Sequence, residues 1–150
     1  MYHTIVKRKL SNAFKQINAG DYDSILAQFG SEFEHVFPGE HPLAGERTTP
    51  NSNAAWYGRL ATIFPDLHFD VRNIVVNGWP WDTTASVEWR DAFTLRDGRK
   101  DSNQGVHIFR LRWGKVTSLH IYTDTQKLAY VCKELGVQGV VEATAVPIQD

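Results

Sequence analysis

Glu88, Arg90 and His107 are the residues whose types and spacing could act together chemically in this 150-residue chain. Asp97-Gly98 lies between them, and Asp-Gly between alternating runs is a strong signal for a two-residue hairpin turn. Such a turn sets Glu88 opposite His107 and Arg90 opposite Gly105. Directly opposed residues share a face, with Cβ atoms about 4.5–5.5 Å apart, and the two-residue period adds Arg90 to it. A carboxylate beside an imidazole fixes the ring's tautomer and raises its pKa toward general acid or base work. An arginine nearby holds a substrate carboxylate or a developing enolate. The competing reading is a cross-strand salt network on the surface. Alternation favours that reading, because Val87, Trp89, Phe93, Val106 and Ile108 make the other face more apolar.

The remaining candidates are weaker. His35 shares a face with Phe33 and Phe37, and His41 sits in a Pro/Gly loop that closes over a pocket or simply faces water. These two and His107 are scattered, with no H-x-x-x-H spacing, so no metal site is expected. No cofactor is expected either. Trp56, Tyr57, Phe64, Phe109 and Trp113 would wall a pocket for a flat ligand, or form plain core. Trp79 and Trp81 sit on a turn, where two indoles call for a cover, most simply a partner subunit. Cys132, beside Leu128 and Leu135, reads as inert core.

The elements that must position these residues follow from periodicity. Val6, Leu10, Phe14 and Ile17 form one helical stripe, closed at Gly20. Asp21 caps a second helix to Phe29, and residues 32–37 alternate as a strand. The segment PGEHPLAGERTTP reads as loop. Thr49-Pro50 opens a third helix that runs to Phe64. Strands follow over 68–76, 84–95, 104–113 and 116–123, and Asp124 caps a last helix over 125–135. Helices grouped early and a four-strand meander later make one α+β domain over 1–136. The tail 137–150 is left as a loose segment or an added edge strand.

Sixteen Lys+Arg against seventeen Asp+Glu, with no basic block, argues against nucleic acid as the main partner. One cysteine excludes a disulfide framework. The N-terminus lacks a signal-peptide pattern, and no apolar run reaches the ~18 residues of a membrane span. A cytoplasmic protein without membrane partners is the expectation.

NAGDYDSILAQF, FPGEHPLAGERT, FPDLHFDV, GVHIFRLRWGKV and the final IYTDT resemble the SnoaL-like branch of the NTF2-like superfamily over roughly residues 5–135. The resemblance implies a cone-shaped barrel: a bent mixed or antiparallel sheet packed on three N-terminal helices plus a C-terminal one. It also implies that Glu88, Arg90 and His107 face into the cone, with the apolar face taken by a homodimer interface. Carried over residue by residue, the steroid isomerases' base falls on Phe37 and their oxyanion tyrosine near Ala13, while their second donor falls on His107. The Arg-x-Asp pair of epoxide hydrolases falls on Glu88 and Arg90 with charges reversed. The last-strand carboxylate of hydrolases and many cyclases falls on Ile121. Steroid isomerase and epoxide hydrolase activities are therefore not expected.

Two function classes stay open. The first is a small-molecule isomerase, cyclase or dehydratase that moves a proton next to a carbonyl on a hydrophobic, polyketide-like substrate. Its catalytic set would be His107, Glu88 and Arg90, with Phe37, His41, Trp56, Phe64, Phe109 and Ile121 binding the ligand. The second is a non-catalytic ligand-binding or dimerisation domain on the same fold.

Overall fold

A computed structural model describes residues 1–150. Helix α1 (Tyr2–Asn18) buries Val6, Leu10, Ala13, Phe14 and Ile17, the stripe read from the sequence. Gly20 follows at φ +75°, a left-handed conformation that favours glycine and ends the helix. Asp21 then caps α2 (Tyr22–Leu26), accepting from the Ser24 N–H. Thr49 and Pro50 open α3 (Pro50–Ile63) as expected, and Asp124 caps α4 (Thr125–Val137) by accepting from the Lys127 N–H.

Six strands form one sheet: β1 (Phe29–Phe37), β2 (Gly45–Arg47), β3 (His68–Trp79), β4 (Asp82–Thr94), β5 (Lys100–Arg112) and β6 (Lys115–Thr123). Their order is β2-β1-β6-β5-β4-β3. β1 and β6 pair in parallel and all other neighbours are antiparallel. Register shifts within the β1–β6, β3–β4 and β5–β6 pairs bend the sheet. The edge strands β2 and β3 do not pair with each other, so the sheet is curved and open rather than closed. β2 lies inside the segment read as loop, where three residues suffice to pair with β1.

The hairpin register differs from expectation by one residue. Leu95 and Arg99 close a three-residue loop, Arg96-Asp97-Gly98, in which the Gly98 N–H reaches the Leu95 carbonyl and Gly98 sits at φ +90°. This is a type I turn followed by a left-handed glycine, the common alternative to the two-residue turn. His107 therefore lies opposite Val87, while Glu88 lies opposite Val106 and Arg90 opposite Gln104. The face carrying Val87, Trp89, Phe93 and His107 turns inward, and all four residues are buried. Glu88 and Arg90 are exposed on the outer side. The expected homodimer face loses Val87, Trp89 and Phe93 to the core; Val106 and Ile108 are the two of its residues that face outward.

The tail is neither loose nor an edge strand. After α4, a short 3₁₀ turn over Val141–Thr144 packs against α4 and α3, and residues 146–150 run across β2 and the start of α3. Arg47 is fully buried there. Its Nη1 donates to the carbonyls of Ala44 (3.1 Å) and Ile148 (2.6 Å), and its Nη2 to that of Gly45 (3.1 Å). Its Nε donates to His35 Nδ1 at 3.2 Å. Arg59 holds the carbonyls of Pro42 and Val146, and Asp150 accepts from the Thr48 N–H and the Ser52 hydroxyl. Two arginines thus clasp the tail by its backbone.

Candidate functional site

The concave side of the sheet and the helices enclose an apolar cavity of about 80 Å³. Phe14 and Ile17 of α1, Trp56, Tyr57 and Leu60 of α3, and Leu119 and Ile121 of β6 all contribute to its wall. Of the 27 lining residues 22 are hydrophobic, so the five exceptions decide its chemistry: Gln28, Asp91, Asn103, His107 and Thr123. Four of these sit on the inward faces of β4, β5 and β6. Asn103 and Thr123 spend hydrogen bonds on the carbonyls of Asp124 and Gln104, and Gln28 donates to Gln16 and the Ser24 carbonyl. Asp91 and His107 remain.

His107 is held by rings. Phe14 packs edge-on at 5.2 Å between centroids, with Phe69, Trp89 and Phe109 around it. The Trp89 indole N–H donates to His107 Nδ1 at 2.7 Å. An indole nitrogen can only donate, so Nδ1 must accept and the neutral ring carries its proton on Nε2. Nε2 makes no hydrogen bond to the protein, and the ring lines the cavity. Burial, with no opposite charge beside it, pulls the His107 pKa down to about 3. His107 is therefore a fixed neutral donor and not the near-neutral acid or base expected from the sequence. Gly105 makes this possible. A Cβ there would lie 2.8 Å from the Trp89 ring and 2.3 Å from the Tyr122 carbonyl, so only glycine lets the indole lie across the strand.

Asp91 lies opposite Asn103, whose backbone N–H donates to Asp91 Oδ1 at 2.6 Å. Burial pushes its pKa up to about 6, opposed by the Asn103 hydrogen bond and by the Lys127 charge. Lys127 itself pairs with Asp101 at 2.9 Å. Four residue steps along β5 separate Asn103 from His107, which puts Asp91 about 13 Å from His107 along one wall, at ~3.3 Å per residue. Sequence reasoning missed Asp91. Its signal was the alternation Val87, Trp89, Asp91, Phe93, legible once that apolar face is assigned to the core.

Of the other expected site residues, Phe37, Trp56, Phe64, Phe109 and Ile121 line the cavity. His41 does not reach it: the ring packs on Phe37 at 4.5 Å and bonds the Pro38 carbonyl at 3.0 Å. Glu88 and Arg90 are excluded from it by the register, so the expected Glu88–Arg90–His107 cluster does not assemble. Trp113, expected in the wall, stands exposed on a turn. His35 faces Arg47 and Trp56 instead of the cavity, and burial lowers its pKa well below the ordinary value. Burial likewise pushes the Cys132 thiol up to about 12, in keeping with inert core. No cluster of His, Cys, Asp and Glu suited to a metal is present, and no helix is long and apolar enough to cross a membrane.

The sequence profile of the SnoaL-like domain matches residues 10–119. The chain belongs to the SnoaL-like family. A comparison with curated proteins finds no match. Among solved structures, the SnoaL-like chain is similar to an NTF2-like protein of unknown function from Burkholderia pseudomallei, at 14% identity and TM-score 0.73, covering 83% of this chain and 95% of that one. It is similar to TerC, co-crystallised with polyporic acid, at 18% identity and TM-score 0.68 over 79% and 91% of the two chains. AclR from Streptomyces galilaeus is similar at 17% identity and TM-score 0.66, over 87% and 95%. At these identities the likeness is one of fold: a SnoaL-like, NTF2-like α+β domain. Its activity must be read from the cavity.

Proposed function

We propose that this SnoaL-like domain is a small-molecule enzyme that moves a proton next to a carbonyl, or along a system conjugated to one, on a hydrophobic ring compound. The observation that carries this is the pairing of Asp91, poised near pH 6, with a fixed neutral His107 donor in an otherwise apolar cavity. Asp91 is the base. His107 Nε2–H takes the carbonyl oxygen and stabilises the enolate as it forms. The two side chains leave the same wall about 13 Å apart, so the reading calls for a conjugated path that carries charge from the proton's site to the oxygen. TerC's co-crystal with polyporic acid lends support to a flat ring ligand. The cavity is smaller than the ~300–1,000 Å³ usual for ligand sites, so larger ring systems need lining side chains to give way.

Deuterium exchange in D₂O tests this directly. The chain should wash hydrogen out of positions next to, or conjugated with, the carbonyl in a panel of cyclic enones and hydroxyquinones, and Asp91→Asn should not. Ligands that bind without exchange would support the non-catalytic binding domain instead.

Assembly is a separate expectation. We infer a homodimer across the convex sheet, where no helix covers Val106, Ile108 and Tyr122. Light scattering should give the mass of two chains, falling to one in Ile108→Glu. A single-chain mass for the unaltered protein contradicts it.

A further inference from the structure

Three tryptophans cluster at the end of the sheet where α1 begins. Trp79 ends β3, Trp81 sits in the β3–β4 turn and Trp113 in the β5–β6 turn, at 61%, 53% and 70% exposure. Trp79 and Trp81 stack at 6.2 Å and 16°, and Trp113 adjoins Trp81 at 6.2 Å. Folding gains little from indoles left in water, and they do not belong to the cavity.

The backbone makes the case sharper. Arg112 pairs with Lys115, so Trp113-Gly114 is a two-residue turn with φ of +50° and +79°. Both values are left-handed, and such turns favour Asn-Gly. Trp113 is the only non-glycine residue of the chain at positive φ. A bulky exposed ring holding a strained conformation points to use rather than to stability.

Charge says what the use is. The first half of α1 carries Lys7, Arg8 and Lys9 with no acidic residue, although the whole chain is net −1; Lys15 lies in the last turn, away from the tryptophans. The helix is fixed to the tryptophan end: His3 bonds the Gly78 carbonyl at 2.8 Å, and Lys9 bonds the Gly114 carbonyl. Burial and the neighbouring Lys115 charge both pull the Lys9 ammonium down, a strain that a nearby anion relieves. Arg110, Arg112 and Lys115 add to the cations, while Asp82, Glu32, Glu34 and Glu46 share the groove beside Trp81 and Trp113 and leave the α1 cations to set the balance.

We propose that this end of the fold docks on an anionic lipid surface, the three indoles entering the headgroup region and the α1 and β5–β6 cations facing the lipid phosphates and carboxylates. Tryptophan favours the bilayer interface, where its apolar ring and N–H are both satisfied. Clustered lysine and arginine are drawn to anionic leaflets within a Debye length. A single nucleic acid strand would stack its bases on the same exposed rings, and the test below separates it from a lipid surface. The inference is independent of the chemistry in the cavity.

The test uses the full chain with phosphatidylcholine vesicles, with and without phosphatidylserine. Sedimentation should show at least about tenfold tighter binding when phosphatidylserine is present, weakened by salt, with tryptophan emission shifting to the blue. Trp113→Asn combined with Trp81→Ser should cost about tenfold or more in vesicle affinity while leaving the thermal midpoint equal or higher, since Asn suits the turn. Lys7→Ser with Arg8→Ser should remove the preference for phosphatidylserine. No sedimentation with either vesicle overturns the proposal, as does unchanged binding by the tryptophan variant. So does tighter binding to a single-stranded oligonucleotide, or a two-chain mass that falls to one in the tryptophan variant.

Discussion

Asp91→Asn should lower proton-exchange turnover by about 10²–10⁴-fold, the usual contribution of a positioned base, and should make the protein more stable above pH 6. The two effects have one cause. A carboxyl whose folded pKa lies above its unfolded value adds most to stability where it is protonated. For Asp91 that contribution is complete below its ordinary 3.8 and is lost as pH rises through about 6. At pH 8 the ionised, partly buried carboxylate then costs the fold roughly 1–3 kcal/mol. Asparagine still accepts the Asn103 N–H and removes the charge. Denaturation at pH 8 should show the variant more stable, with the difference shrinking toward pH 4. A base must be unprotonated to act, so kcat/KM should rise through about pH 6. No second limb should come from His107, neutral throughout at a pKa of about 3. An Asp91→Asn variant with full activity and no gain in stability would remove Asp91 from both roles.

Arg47→Ala should be among the most destabilising single changes available, at about 3–5 kcal/mol by urea unfolding. The carbonyls of Ala44, Gly45 and Ile148 and the Nδ1 of His35 lose their shared donor. Each buried polar group left without a partner costs about 1–3 kcal/mol. Trp56 also loses the guanidinium stacked 5.4 Å from its centroid. Arg47→Lys should rescue only part, because one ammonium cannot reach all four acceptors that the guanidinium fork spans. Limited proteolysis should cut the variants within residues 145–150 before it cuts elsewhere, since the Ile148 carbonyl is one of the tail's anchors.

Local chemistry in the sequence was legible wherever a few neighbouring residues decide the outcome. Asp21, Thr49 and Asp124 cap the helices they were read to cap, and the α1 stripe is the buried one. The site depended on a longer inference and fell with it. Asp-Gly suits a two-residue loop as well as the end of a three-residue one, and adjacent sequence does not separate them. A shift of one residue sends every side chain of β4 to the other face. That single choice hid Asp91 and placed Glu88 beside His107. The apolar alternation of Val87, Trp89 and Phe93 pointed the right way and was outweighed by the family likeness. Arg47 was hidden for another reason: apart from His35 its partners are backbone carbonyls, one of them about a hundred residues away, and no residue type signals them.

Gly105 gives the cavity an unusual point of vulnerability. It contributes no atom to the cavity wall, yet the Trp89 indole rests where its side chain would be. Gly105→Ala should lift the ring and free His107 Nδ1, letting the imidazole exchange tautomers. A wall with one polarity would then present either a donor or an acceptor to the same ligand atom. Selectivity between ketone and alcohol ligands would blur before affinity fell. A methyl group outside the pocket would thus rewrite what the pocket recognises.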